Sequence, residues 1–204
     1  MRNIESLMKK AAELKSEGLV EGQISEELNV SSDTVTWLLT HADETGAPGP
    51  KDISVDWSMI GRSSNRLSHV AKALADMVEE TLVANDAGLD AVVGIALSGV
   101  PLANIVANDL VAELAVYTPW KQMVSNEQKR VRGNLSANFS DVNDKECVII
   151  DDVITTGRTL EETLEYLEKH GAEVNAIAVL LDKKGIEQIS GVPVVSLLKV
   201  IRVN

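Results

Sequence analysis

Two adjacent carboxylates, Asp151 and Asp152, follow a short apolar run, Val148, Ile149 and Ile150, and precede the loop Thr155-Thr156-Gly157-Arg158-Thr159. Behind the loop, Leu160, Thr163, Leu164 and Leu167 recur at helical spacing, so the local order is strand, polar turn, helix. Those residue types in that order suit anion binding. The first-turn amides of a helix have no internal partner and point at whatever lies beyond its end. Gly157 permits close backbone approach, and the threonine hydroxyls add donors. A phosphate alone would be repelled by the acid pair. Something beside it must offer hydrogen-bond donors, and sugar hydroxyls do. The loop therefore reads as a cradle for a ribose 5-phosphate. The competing reading is an ordinary strand-to-helix turn with a solvated acid pair.

A second glycine-bearing turn lies upstream in Gly94-Ile95-Ala96-Leu97-Ser98-Gly99-Val100-Pro101-Leu102-Ala103. Pro101 falls near the start of the helix that follows, where proline is favoured. Amides around Ser98 and Gly99 could bind phosphate oxygens. Both loops end strands, and open α/β sheets bind ligands beyond the carboxyl ends of their strands. The segment Val148 to Leu160 resembles the ribose-phosphate-binding motif of the phosphoribosyltransferases: an apolar run, two acids, two variable positions, then Thr-Thr-Gly-x-Thr. The upstream turn resembles the pyrophosphate loop of the orotate-type members, which ends in Pro-Leu-Ala. The resemblance implies that phosphoribosyl pyrophosphate (PRPP) is held by Asp151, Asp152, Thr155, Thr156, Gly157, Arg158 and Thr159, with Ser98 and Gly99 receiving its pyrophosphate. It also implies Mg²⁺ accompanying PRPP. His41, His69 and His170 are scattered, and no metal site of the protein's own is expected.

The polar stretch Thr118 to Lys145 matches in position that family's mobile loop, with Lys121, Lys129, Arg130 and Arg132 as its basic residues. Orotate enzymes carry an Arg-Lys pair and then Lys-x-His-Gly. Here Pro119-Trp120-Lys121-Gln122 is followed by Met123-Val124-Ser125-Asn126-Glu127, so Lys121 replaces one member of the pair and the later Lys and His have no counterpart. Those residues stabilise the departing pyrophosphate. The departure argues against a working transferase, and no catalytic residue is assigned. Leu181-Asp182-Lys183-Lys184-Gly185 occupies the place of an Asp-Arg before the base pocket, with a solvated turn as the alternative.

These loops need strands and helices to hold them. Helical spacing runs from Arg66 to Val83, a strand from Ala91 to Ala96, a helix from about Leu102 to Glu113, and a short strand from Ala115 to Tyr117. The motif strand Cys147 to Ile150, its helix Leu160 to His170, a strand Val174 to Leu181 and one or two more within Val192 to Val203 complete the pattern. Strands alternating with helices imply an α/β fold with a mostly parallel sheet covered on both faces.

Upstream, three short amphipathic helices are expected over Ile4 to Lys15, Glu21 to Leu28 and Asp33 to Leu39. The tight turn Asn29-Val30-Ser31-Ser32, with apolar Ile24, Leu28, Val30, Val35 and Leu38 around it, resembles a helix-turn-helix. Ser31, Ser32, Thr34 and Thr36 are its candidate DNA contacts. An ordinary helical bundle is the alternative, because residues 1–45 hold four basic against nine acidic residues, a net charge of −5. Thr45-Gly46-Ala47-Pro48-Gly49-Pro50 is a breaker-rich linker. The expected division is 1–45 for the helical domain, 46–51 for the linker and 52–204 for the transferase-like domain, with Asp52 to Met59 as a wing or the first element of the latter.

The whole chain of 204 residues carries a net charge of −12, which disfavours a general nucleic-acid coat or anionic membrane surface without excluding a local DNA contact. No membrane span or signal peptide is evident, and the lone Cys147 points to a reducing compartment, the cytoplasm. Helix-turn-helix and transferase-like domain together resemble the archaeal orotate phosphoribosyltransferase-like transcription regulators of the glucose and fructose catabolism type. That resemblance implies a homodimer that binds DNA and senses PRPP or a related phosphosugar. The alternative is an active orotate-type phosphoribosyltransferase with an N-terminal assembly domain.

Overall fold

The computed structural model describes residues 4–41, 49–122 and 133–201. The chain forms two compact units, Met1–Trp57 and Ser58–Asn204.

In the first unit, α1 (Ile4–Ser16), α2 (Glu21–Leu28) and α3 (Ser32–Thr40) follow the expected apolar spacing. Met8, Ala11 and Leu14, Ile24 and Leu28, Val30, and Val35 and Leu38 are buried together as its core. The turn from α2 to α3 is fixed at both ends. Asn29 takes the left-handed conformation at φ 52, one that asparagine tolerates, and Ser31 Oγ accepts the Thr34 amide at 3.2 Å as the N-cap of α3. The unit does not end at residue 51. Ser54 Oγ donates to the Leu28 carbonyl at 2.9 Å, the Asn29 side-chain amide donates to the Val55 carbonyl at 3.0 Å, and the Ser31 amide donates to Asp52 Oδ2 at 2.8 Å. Residues 52–57, expected in the second domain, thus serve the first, because their polar groups satisfy the helix ends there. Residues 42–48, which include 46–48 of the expected linker, lie outside the described residues.

The second unit opens with α4 (Ser58–Gly61) and α5 (Ser64–Asn85), the latter capped by Ser63. The sheet order is β3-β2-β1-β4-β5-β7-β6, where β1 is Ala91–Ile95, β2 Glu113–Thr118, β3 Asn134–Leu135, β4 Glu146–Ile154, β5 Glu173–Asp182, β6 Gln188–Ile189 and β7 Val192–Lys199. The five long strands pair in parallel, and only the two-residue strands β3 and β6 run antiparallel at the edges. Helix α6 (Gly99–Asp109) joins β1 to β2, and α7 (Arg158–Lys169) joins β4 to β5. Val93 and Ile95 of β1 join Tyr117, Ile149, Leu160, Leu164 and Leu167 in the core under α7. Between them Gly94 lies against Val100 and Ala103 of α6, so the sheet is covered on both faces as expected.

The largest differences from the sequence reading are in α6, β4 and the edge strands. Helix α6 starts at Gly99 rather than near Leu102 and ends at Asp109, because β2 already begins at Glu113. Strand β4 continues through both acids to Ile154, because its pairing with β5 runs on to Ile154↔Asp182. The edge strands β3 and β6 are too short to leave a period.

Candidate ligand site

From β1 the chain crosses through α6 to β2 on one side, while β4 lies on the other side of β1. The order therefore reverses between β1 and β4, which is where an open parallel sheet leaves a crevice beyond its strand ends. Both candidate phosphate loops rise from those two strands.

The ladder between β1 and β4 stops at Gly94↔Ile150, whereas β4 and β5 stay paired to the end of β4. The start of α6 fills the side that β1 vacates. A Cβ on Gly99 would lie 2.7 Å from the Ile150 carbonyl oxygen, 3.0 Å from Asp151 Cα and 3.1 Å from Asp151 Oδ1. Further down, a Cβ on Gly94 would lie 2.7 Å from that of Ala103, so α6 sits close on β1. The two glycines let the Ser98-Gly99 turn press against Asp151. The Ala96–Leu97 peptide at the head of this turn is cis. Asp151 and Asp152 are 6% and 3% exposed, and Asp151 Oδ1 accepts the Asp152 amide at 2.9 Å.

Beyond Ile154, Thr155 and Thr159 are half-buried and Thr156 and Arg158 exposed. Gly157, buried, holds φ 89, a conformation that disfavours side chains, and turns the chain into α7. The Arg158 amide donates only a long hydrogen bond, 3.5 Å, to Thr156 Oγ1, and Gly157 has no side chain to cap α7. Its leading amides therefore face the loop, the arrangement that binds a phosphate.

The third loop resolves an alternative left open by the sequence. Asp182 is fully buried and organises the turn: Oδ1 accepts the Lys184 and Gly185 amides at 2.7 and 3.0 Å, and Oδ2 accepts the Ile186 amide at 2.7 Å. It is neither a solvated turn residue nor available to a base. Ile186 in turn sits 3.2 Å from the Cβ position of Gly157, so this turn backs the Thr155–Thr159 loop. Asp182→Asn replaces one acceptor oxygen by a donor. It should cost about 1 to 3 kcal/mol of stability, because the new donor faces buried amides that the carboxylate satisfied, read as a lowered denaturant midpoint.

Lys121 lies in a 3₁₀ turn, Trp120–Gln122, whose ends are tied down. The Trp120 amide donates to Glu162 Oε1 of α7 at 3.1 Å, and the Gln122 side chain donates to the Ala96 carbonyl. The Lys121 side chain, with Lys129, Arg130 and Arg132, lies outside the described residues. Sequence reasoning missed the partner that anchors this turn. Buried Tyr117 donates to the same Glu162 oxygen at 2.8 Å, and burial, then the carboxylate, holds its phenol far above the ordinary range. Gly133, on the far side of the intervening segment, lies so close that a Cβ there would be 2.1 Å from the Tyr117 oxygen. A lone glycine in a polar stretch carried no signal of that contact.

Among the described residues no group of three or more His, Cys, Asp or Glu could hold a metal. Asp151 and Asp152 beside a phosphate loop do fit a Mg²⁺ ion, which is commonly bound by one or two carboxylates together with substrate phosphates. Cys147 is buried and its thiol is pushed up to about 11, chiefly by burial, which makes it a poor nucleophile.

In the first unit the four candidate DNA contacts separate. Ser32 and Thr36 are exposed on α3, and Thr36 Oγ1 donates to the Ser32 carbonyl at 3.1 Å. Thr34 is 5% exposed and its hydroxyl donates to Asp52 Oδ2 at 2.8 Å, while Ser31 caps the helix. The hydroxyls of Ser31 and Thr34 are thus engaged at the helix start, and that of Thr36 also lies 3.1 Å from Glu21 Oε2. Among the described residues α3 contains no basic residue.

Fold and paired loops define a protein of the phosphoribosyltransferase class, and the phosphoribosyl transferase domain family matches residues 56–199. The chain belongs to that family and, over its full length, to the GfcR family of archaeal proteins. It is 66% identical to the transcriptional regulator GfcR of Methanothrix thermoacetophila and 53% identical to GfcR 1 of Methanosarcina barkeri, with 100% of each chain covered. It resembles in fold the crystal structure of orotate phosphoribosyltransferase from Aeropyrum pernix, with TM-score 0.58 and 21% identity over 76% of this chain and 82% of that one. Adenine phosphoribosyltransferase from Thermoanaerobacter pseudethanolicus gives TM-score 0.58 and 16% identity over 76% and 92%.

Proposed function

We propose that this chain is a DNA-binding transcriptional regulator whose second unit senses PRPP or a related phosphosugar between β1 and β4. One observation carries the reading: Gly99 brings the Ser98 turn to within contact of Asp151, so a pyrophosphate loop and a ribose-phosphate loop meet at the topological switch point. In this reading the α7 amides and Thr155 to Thr159 take the 5-phosphate, Asp151 and Asp152 take ribose hydroxyls, and Ser98 and Gly99 take the pyrophosphate. Mg²⁺ would enter with PRPP, on the acid pair and the phosphates, and partly neutralise their charge. The full-length relatives named as transcriptional regulators support the DNA-binding half. α2, its three-residue turn and α3 then form a helix-turn-helix, with Ser32 and Thr36 as the exposed readers. Such a protein works in the cytoplasm.

The complete acid-pair and threonine loop also suits a second reading, an active orotate-type phosphoribosyltransferase. A base-panel transfer assay with PRPP and Mg²⁺, run beside PRPP calorimetry on one preparation, separates the two. The regulator reading expects PRPP binding without transfer to orotate or another base. Robust turnover would promote the enzyme.

The protein should be a homodimer, because a helix-turn-helix reads two half-sites with two heads. Light scattering at micromolar concentration should give twice the chain mass of 22.0 kDa. A monomer there would contradict it.

A further inference from the structure

Helix α3 begins with half of a capping box. Ser31 Oγ accepts the Thr34 amide, but a full box needs a long acidic or amide side chain three residues after the cap to return to the cap's own amide. The residue there is Thr34, which is too short. The missing carboxylate comes from elsewhere in the chain. Asp52 Oδ2 accepts the Ser31 amide at 2.8 Å and the Thr34 hydroxyl at 2.8 Å. Asp52 Oδ1 accepts the neighbouring Ile53 amide at 2.7 Å, which ties the carboxylate to its own backbone. Two residues on, Ser54 satisfies the Leu28 carbonyl, one of the last-turn acceptors that α2 leaves without a helical partner. Asn29 then reaches the Val55 carbonyl. Residues 52–55 therefore hold both helix ends that flank the turn. The same strand of chain continues through Trp57 to Ser58, where the ligand-binding unit begins.

We propose that Asp52 is a positioning residue for DNA recognition: it completes the α3 cap from the segment that joins the two units, so that a ligand-dependent change in residues 52–57 alters the first turn of α3. Resting on the DNA-binding reading above, the proposal adds the route by which the ligand reaches the DNA. The N-terminal residues of the second helix of a helix-turn-helix contact base edges. Here those are Ser32, Asp33 and Thr36, all exposed, and a loosened first turn moves them together.

The test compares full-length wild type, Asp52→Ala, Asp52→Asn and Ser54→Ala by amide hydrogen exchange and by affinity for a duplex selected from a random library, each with and without PRPP. In Asp52→Ala, exchange at Ser31 and Thr34 should rise about fivefold, the factor that loss of a typical helix cap implies, while β4 amides stay unchanged. Duplex affinity should fall and its response to PRPP should shrink. Asp52→Asn keeps the side chain's size and one acceptor oxygen, so it should show the same changes in smaller degree, and it stands in if Asp52→Ala fails to fold. Ser54→Ala, which releases only the α2 end, should weaken the PRPP response with Asp52 intact. Unchanged exchange at Ser31 and Thr34 in both Asp52 variants would overturn the capping role. Raised exchange with wild-type duplex affinity and PRPP response would reduce Asp52 to a structural cap and overturn the positioning role. A wild type that enriches no duplex while binding PRPP defeats the DNA reading and this role with it. Failure confined to the variants' response defeats this role alone.

Discussion

Asp151→Asn combined with Asp152→Asn should weaken calorimetric PRPP binding by about 2 to 6 kcal/mol, taking about 1 to 3 kcal/mol for each hydrogen-bonding carboxylate lost. Both residues lie on β4 beyond the end of its pairing with β1, and Asp151 stands against the start of α6. In water-excluded surroundings a carboxylate that accepts from a sugar hydroxyl outperforms an amide, whose nitrogen presents donors to the same donors. The isosteric change preserves packing, which matters for two residues only 6% and 3% exposed. Thermal unfolding should confirm that the variant folds. Wild-type affinity in the folded double variant would remove the ribose from this position.

The second large effect is expected from Gly99→Ala. Its methyl would stand 2.7 Å from the Ile150 carbonyl oxygen and 3.0 Å from Asp151 Cα, both of them backbone or backbone-bound atoms that cannot rotate aside. The α6 start must then move away from β4. Overpacking of this kind costs about 1 to 3 kcal/mol in stability. The displacement also separates the two phosphate loops, so PRPP affinity should fall by an order of magnitude or more while inorganic phosphate, which needs only the α7 amides, binds nearly as before. Equal losses for both ligands would show that the two loops do not act on one molecule.

Much of this site could be read from residues alone, because its signals are local. Val148 to Leu160 carries an apolar run, acids, small hydroxyl residues, a glycine and a helical repeat in immediate succession, and the structure has strand, turn and helix in that order. What escaped depends on partners distant in sequence. Nothing in Asp151-Asp152-Val153-Ile154 says that β5 will keep pairing with it, so the strand seemed to stop at Ile150. Nothing in Gly99 reveals that Asp151 will stand beside it. Asp182 looked like any turn acid until its carboxylate met three backbone amides. Hydroxyls at a helix start, such as those of Ser31 and Thr34, suit capping and contact equally, and their capping partner Asp52 lies eighteen residues from Thr34. For the same reason the first unit reaches Trp57 instead of giving way to a linker at 46 and a second domain at 52.

The acidity of the first unit sets the terms of the DNA claim. With few phosphate-neutralising side chains, little counterion-release energy is available, so specific binding must rest on two half-sites engaged together and on base contacts from α3. The most direct measurement is selection of duplexes from a random library by the full-length protein at two salt concentrations, with and without PRPP and Mg²⁺. The account predicts enrichment of a two-part site whose affinity PRPP changes. No enriched sequence under any of these conditions, from protein that binds PRPP, would contradict it and leave the three-helix unit as a protein-interaction module.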